Sequence, residues 1–347
     1  MAWQGAICIA QALGLSRGGG TLHSAPLPMI RAFLCLAAVA CIFTPDRASA
    51  QGNDAMMVVE AHSGKVLIAK NSTVKRPVAS LTKIATGVMV VDWAEAAGVD
   101  LDTREAIVPQ VVATSPGANP MNLQPGERLT LRDALYSALL GSDNMAALTL
   151  ADHVGREFLA RKGRSGDPLG AFVVEMNHLA EALEMKKTKF INPHGLEING
   201  KAGLSTAADM AKLSIYAMRR PGFTFVSRQK ERKVSVTGAE GVRAFNLKNT
   251  NELLSDVILG VKTGTTQAAG ECVSISVERD PLIRPKADGS KGVTPRRLIV
   301  VLLNTPDRFG RARALIPTGW GIYDQWVNSG APVKDRKREI LHVPNPR

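Results

Sequence analysis

The sequence predicts an α+β fold. One antiparallel sheet is assembled from both ends of the chain, and a helical lobe over about residues 100–220 lies between them. Three observations carry this. Apolar, β-branched segments cluster near residues 56–69 and again after Pro221. Between them, apolar residues recur at helical spacing. The 347 residues and 45% hydrophobic content suffice for one large domain or two with a sizeable core, which excludes a disordered chain.

The elements follow in order. Met56–Glu60 and Lys65–Ala69 flank His62-Ser63-Gly64, a pattern that predicts a β-hairpin with a glycine-bearing turn. Pro77 leads into a helix that should start near Ser80 and run to about Ala96, with Ile84, Val88, Val91 and Ala94 on one stripe. Residues 130–184 read as mostly helical, with breaks at 141–144 and 162–167. Ala207–Arg220 is another helix, with Ser205-Thr206 as its cap. Beyond Pro221 the texture becomes strand-like at 233–236, 257–263, 272–277 and 298–303, and 309–328 returns to helix. Residues 279–297 are basic and rich in Pro and Gly, and predict a long loop joining two strands.

The N-terminus reads as a leader. Arg31 precedes a 12-residue apolar run, Ala32–Phe43, which is too short to span a bilayer. Ala48-Ser49-Ala50 then supplies a small-x-small cleavage site. Residues 29–50 are thus expected to be a cleaved signal peptide, with residues 1–28 arising from a start codon assigned too early. The main domain is expected over 51–330 and a short tail over 331–347, with no second β domain and no sustained apolar face for a membrane anchor. A periplasmic or secreted protein follows. Loss of the leader lowers the net charge from +12 to about +10, which suits an anionic surface or a merely solvated basic one. No nucleic-acid motif is present. Cys8, Cys35 and Cys41 lie in the leader, so Cys272 alone remains and cannot form an internal disulfide. No Cys/His cluster has metal-ligand spacing, and neither metal nor cofactor is expected.

Three motifs carry chemistry: Ser80-Leu81-Thr82-Lys83, Ser142-Asp143-Asn144 and Lys262-Thr263-Gly264. Each alone is a weak signal. Together they supply the parts of an acyl-transfer site. Ser80 and Lys83 are three apart on a helix and share a face. A serine hydroxyl needs a base, and a lysine serves as one only when burial or nearby cations keep it neutral. Read singly, Ser80 would be an ordinary helix cap and Lys83 a solvated surface charge. Ser142 sits at a helix break, where it could relay a proton to a leaving amine, while Asn144 could hold a substrate amide and Asp143 brace the loop. Lys262 and Thr263 offer a cation and a hydroxyl to a carboxylate, and Gly264 permits close backbone approach.

The resemblance extends past the triple. Arg76–Thr86, Asn192-Pro193-His194-Gly195-Leu196 and Gly260–Thr266 followed by Ala269-Gly270 are similar to the nucleophile segment, central loop and third motif of the D-alanyl-D-alanine carboxypeptidases, the low-molecular-mass penicillin-binding proteins. The match covers about residues 55–326. It implies the serine β-lactamase/DD-peptidase-like fold and an acyl-enzyme at Ser80. It implies peptidoglycan stem peptides as substrate, β-lactam antibiotics as covalent inhibitors, and no obligate protein partner. It further implies an oxyanion hole from the N–H groups of Ser80 and Thr265. Arg308, in Arg308-Phe309 with Ala312 and Leu315 following, resembles a carboxylate-binding arginine, although its spacing to Trp320 departs from the pattern and a plain surface arginine is the alternative. His194 reads as a turn residue.

Three rival functions share these motifs. A DD-endopeptidase would cleave crosslinks with the same site. A class A β-lactamase needs a Glu-x-x-Leu-Asn loop, whereas the corresponding region here is Glu175-Met176-Asn177 in a helical stretch. A non-catalytic wall-binding protein would not need the triple intact.

Overall fold

The computed structural model describes residues 53–285 and 288–346. The expected signal peptide and its cleavage site lie outside the described residues.

The main sheet has the order β2-β1-β11-β10-β9, all antiparallel. Its members are β1 (Ala55–Glu60), β2 (Val66–Lys70), β9 (Ile258–Thr266), β10 (Gly270–Pro285) and β11 (Lys291–Leu303). The first strand therefore lies beside the last, with Met57 opposite Val301, as the two clusters of β-branched sequence predict. The central strands are apolar on both faces because both faces are covered. Val273, Ile275, Val277, Leu298, Val300 and Leu302 pack with Ala312, Trp320 and Tyr323 of α7 (Arg308–Asn328). The alternate residues Ile299, Val301 and Leu303 join the larger core beneath the helical lobe.

That lobe centres on α1 (Lys83–Ala97), in which every residue from Lys83 to Val91 is buried. Its sequence predicts a single apolar stripe, yet the helix is enclosed all round. A helix apolar on every side belongs in an interior. Around it stand α2 (Leu131–Leu139), α3 (Asn144–Arg161), α4 (Pro168–Ala182), α5 (Ala207–Met218) and α6 (Pro221–Ser227). Four of them start on side-chain caps, and at α2 the Thr130 side chain accepts from the N–H of Asp133. Asp143 accepts from the N–H groups of Met145 and Ala146, Asp167 from those of Leu169 and Gly170, and Thr206 from that of Asp209.

Two expectations need correction. The strand at 233–236 does not join the main sheet. It lies in β7 (Glu231–Gly238), which pairs with β8 (Gly241–Lys248) in a separate four-stranded sheet with β4 (Glu105–Ile107) and β5 (Arg128–Thr130). Exposed, alternating Glu231–Ser235 and Gly241–Asn246 suit a sheet with one wet face better than the doubly covered main one. Second, residues 279–297 are mostly a paired ribbon. β10 and β11 continue in register past the sheet, Leu282 opposite Thr294 and Arg284 opposite Gly292, after an irregularity between Arg279 and Leu282. Pro281, Pro285 and Pro295 are tolerated because both strands have free edges there.

The tail is docked. After α8 (Arg336–Glu339), Leu341 N–H donates to Gly64 O at 2.7 Å, and Leu341 and Val343 pack against the main core. Gly64 has φ +74°, and a Cβ there would stand 2.4 Å from Leu341 O. A two-residue strand β3 (Arg76–Pro77), which opens the nucleophile segment, pairs with β6 (Leu204–Ser205). Among the described residues, no helix is long and apolar enough to cross a membrane.

α3 and α4 meet at Gly155, where a Cβ would lie 1.9 Å from the backbone oxygen of Pro168. Backbone cannot swing aside as a side-chain tip can. Gly155→Ala is therefore expected to cost about 1–3 kcal/mol by overpacking. Equilibrium denaturation should show the midpoint falling with little change in slope.

Candidate active site

Ser80 lies in a 3-10 turn, Ala79–Thr82, that runs directly into α1. It is not the cap of that helix, and Lys83 is not solvated. Lys83 is 0% exposed and its Nζ stands 3.0 Å from Ser80 Oγ. The turn is held against β9: a Cβ on Gly264 would lie 2.9 Å from Ser80 N. Only a glycine at 264 lets the third motif come this close to the nucleophile turn. Ala79, just before the serine, is held at φ +49°, a conformation costly for a residue with a Cβ.

Lys83 Nζ has three neighbours at hydrogen-bond distance. It lies 2.6 Å from Asn144 Oδ1, 3.1 Å from the backbone oxygen of His194 and 3.0 Å from Ser80 Oγ. None is a carboxylate. Burial pushes the lysine down to about 7, with Asp143 opposing the shift. A neutral amine has two N–H groups and one lone pair. Asn144 and the His194 carbonyl can take the two hydrogens, which leaves the lone pair for the Ser80 hydroxyl.

The second motif stands at the break between α2 and α3. Asp143 braces it, as its side chain also accepts from Ser137 Oγ at 2.8 Å. Burial raises the Asp143 carboxyl. Ser142 is held at φ +59°, and its hydroxyl makes no hydrogen bond among the described residues. Asn144 is buried, with Oδ1 occupied by Lys83.

In the third motif Lys262 is 1% exposed, and its Nζ donates to Thr263 O at 3.1 Å. Burial, then Lys83 and Arg308, hold it well below the ordinary lysine range. Arg308, at the start of α7, donates through Nη1 to Gly264 O (3.0 Å) and Thr265 Oγ1 (2.6 Å). It is therefore at the end of β9, not on a remote surface, and its Nε is buried without a partner. Thr263 is 4% exposed, and Thr265 beyond it is exposed.

Some contributors escape sequence reasoning. The His194 carbonyl and the Thr250 hydroxyl, 2.6 Å from Thr263 Oγ1, are examples. The 192–196 loop is visible as a Pro-His-Gly turn, but a backbone oxygen aimed at Lys83 leaves no trace in side-chain pattern. Gly195, at φ +89°, would place a Cβ 1.9 Å from Ala79 O, so the loop seats directly on the nucleophile turn. Gly117, at φ +107°, similarly lets the 115–119 loop pass over Asn144, where a Cβ would lie 1.9 Å from Nδ2. The His194 ring is held near 3 by burial and Lys83, and its Nδ1 accepts from Leu196 N–H. It is uncharged at neutral pH, in keeping with a turn residue. Cys272 is buried and pushed up to about 11, an inert thiol. Glu175 lies on α4 and is bonded to Lys162 and His178.

Comparison with known proteins decides the family. The model of the D-alanyl-D-alanine carboxypeptidase family matches residues 43–283. The chain belongs to that family. It is a serine peptidase with the DD-peptidase fold. A D-alanyl-D-alanine endopeptidase of Pseudomonas aeruginosa is 29% identical over 232 residues, covering 65% of this chain and 68% of that one. The D-alanyl-D-alanine carboxypeptidase DacF of Bacillus subtilis is 29% identical over 226 residues, 64% of this chain and 53% of its own length. The match thus spans between about half and two thirds of these relatives. A Streptomyces DD-transpeptidase structure superposes with a TM-score of 0.63 at 25% identity, over 77% of this chain and 97% of that one. A Listeria monocytogenes penicillin-binding protein, solved with ampicillin bound, superposes at 0.59 with 25% identity, over 77% and 96%.

The Lys83 environment sets a pH profile. A base held at about 7 is protonated below that pH and free above it. The rate of Ser80 acylation by a penicillin is expected to rise tenfold per pH unit below about 7 and to level off above it. Stopped-flow fluorescence from pH 5.5 to 9 measures this. A profile still climbing through pH 9 would mean a lysine of ordinary basicity.

Proposed function

We propose that this chain is a serine-type D-Ala-D-Ala carboxypeptidase that trims peptidoglycan stem peptides through an acyl-enzyme at Ser80. One observation carries the reading: a fully buried lysine with no carboxylate partner, 3.0 Å from a serine hydroxyl. A cation is costly in such a place, and a neutral amine poised as a base is not.

The steps balance as follows. Lys83 takes the Ser80 proton while Oγ attacks the carbonyl carbon of the penultimate D-alanine. The N–H groups of Ser80 and Thr265 stabilise the oxyanion, each such donor being worth roughly 3–4 kcal/mol. Asn144 Nδ2 holds the substrate backbone. Lys262, Thr263 and Arg308 receive the terminal carboxylate, and its arrival restores positive charge to Lys262. The C–N bond then breaks, and the leaving amine takes a proton through Ser142. Water attacks the ester in a second cycle and frees Ser80. β-Lactams would acylate the same serine, as the ampicillin-bound Listeria relative supports.

The second reading is DD-endopeptidase action on crosslinks, supported by the endopeptidases of Pseudomonas aeruginosa and Escherichia coli among the relatives. Mass spectrometry of muropeptides separates the two. Loss of one alanine from pentapeptides indicates the carboxypeptidase, and conversion of dimers to monomers indicates the endopeptidase. We also propose export to the periplasm or beyond, with cleavage after Ala50. N-terminal sequencing of secreted protein should begin at Gln51, and a full-length product would refute it.

Penicillin treatment is expected to add one adduct, on the peptide containing Ser80. An adduct that survives Ser80→Ala sinks the assignment.

The two lysines should respond differently to arginine. Lys83 must lose and regain a proton, which a guanidinium cannot do at accessible pH. Lys262 supplies charge. Lys83→Arg is expected to slow acylation by about 10²- to 10⁴-fold, as for loss of a general base. Lys262→Arg should keep measurable acylation. Rates come from a fluorescent penicillin, after circular dichroism shows both variants folded. Equal rates for the two would remove the role given to Lys83.

A further inference from the structure

The turn that follows β8 reaches into the site from outside the three motifs. Thr250 N–H donates to Leu140 O at 3.1 Å, and Leu140 caps α2 just before Gly141-Ser142. Its hydroxyl stands 2.6 Å from Thr263 Oγ1. The turn is braced from below. Asn249 Nδ2 donates to the backbone oxygens of Ser227 and Gln229, and its Oδ1 accepts from Asn251 N–H. Asn251 Oδ1 in turn accepts from Leu253 N–H. One residue thus joins the shoulder of the second motif to the hydroxyl of the third. Thr250 is exposed at the rim, whereas Thr263 is buried beneath it.

A hydroxyl has one hydrogen to give and two lone pairs. If Thr263 gives its hydrogen to Thr250, it can offer a substrate carboxylate only lone pairs, which repel. If Thr250 gives its hydrogen to Thr263, the Thr263 hydrogen is free for the carboxylate, and the hydrogen-bond chain strengthens it. A carboxylate accepts only, so its arrival selects the second arrangement.

We propose that Thr250 is a positioning residue for the terminal carboxylate. Its hydroxyl donates to Thr263 Oγ1 and so turns the Thr263 hydrogen toward the substrate. This rests on the serine DD-peptidase reading and deepens it. The substrate class it selects is acyl donors with a carboxylate on the leaving group.

The experiment uses the whole chain and two peptide thioesters with the same acyl group. One has mercaptoacetate as leaving group, with a carboxylate, and the other ethanethiol, without. Thr250→Val keeps the β-branched shape and removes the hydroxyl at an exposed position, and Thr250→Ser returns the hydroxyl. For the mercaptoacetate ester, Thr250→Val is expected to raise KM about three- to tenfold with kcat changed less, the scale of one lost hydrogen bond. The loss on the ethanethiol ester should be at least threefold smaller, and Thr250→Ser should restore most of KM. Equal losses on both esters, no loss on either, or failure of the serine variant to restore KM would overturn the proposal. Wild-type protein that turns over neither ester and takes up no fluorescent penicillin would instead overturn the peptidase reading, and this one with it.

Discussion

The structure depends on keeping one amine, Lys83, entirely out of water. No carboxylate pairs with it, and its neighbours are an amide oxygen, a backbone carbonyl and a hydroxyl. Leaving a lysine there uncharged requires walls on every side. α1 is accordingly buried at every position from Lys83 to Val91, so the base sits at the first turn of an enclosed helical segment. The cost falls on stability. The unfolded lysine has its ordinary value and the folded one about 7, so the unfolded chain binds the extra proton between these pH values. The penalty is full below about 7 and fades as pH rises toward the unfolded value. Function is thus bought with a destabilised core position.

Enclosure also demands close backbone approach, and this explains where the special residues fall. Gly195 lets the 192–196 loop rest on Ala79 O, which brings the His194 carbonyl to Lys83. Gly264 lets β9 rest on Ser80 N. Gly117 lets a further loop lie over Asn144. In return Ala79 and Ser142, each beside or within a reactive motif, sit at positive φ. Such strain persists only where surrounding packing over-determines the conformation. Two loops and a strand converge here to do so.

How much of this was legible in the sequence depends on which physical signal each part leaves. The cap at Thr206 was readable because a capping side chain must occupy a fixed offset from the amide that it satisfies. The main sheet was readable because doubly covered strands are continuous apolar runs. The side chains of the three motifs were readable because their chemistry restricts residue type. The second sheet was missed since strands 105–107 and 128–130 are too short for a periodicity to develop. The ribbon was missed since proline is a loop signal in sequence but is tolerated at a free strand edge. Thr250 and the His194 carbonyl were missed for a deeper reason. A lone threonine and a backbone oxygen gain meaning only from what folding brings next to them.

The two buried lysines make sense as a pair whose charge is set by the substrate. Lys262 is depressed first by burial, then by the positive charge that Lys83 carries when protonated and by Arg308. Without a substrate, a second full charge in this space is unfavourable. On the proposed reading, the substrate brings a carboxylate to Thr263 and Arg308, beside Lys262. That anion favours the charged form of the lysine nearest to it. A charged Lys262 then opposes protonation of Lys83. The extra proton is thereby kept on the lysine that needs charge and off the one that must act as base. The sequence difference between the two is slight, since both are lysines in apolar surroundings. The difference in role comes from the neighbours. Asn144 and the His194 carbonyl occupy the hydrogens of a neutral Lys83, while Lys262 has a single carbonyl partner. It therefore has hydrogens left to give to an arriving anion.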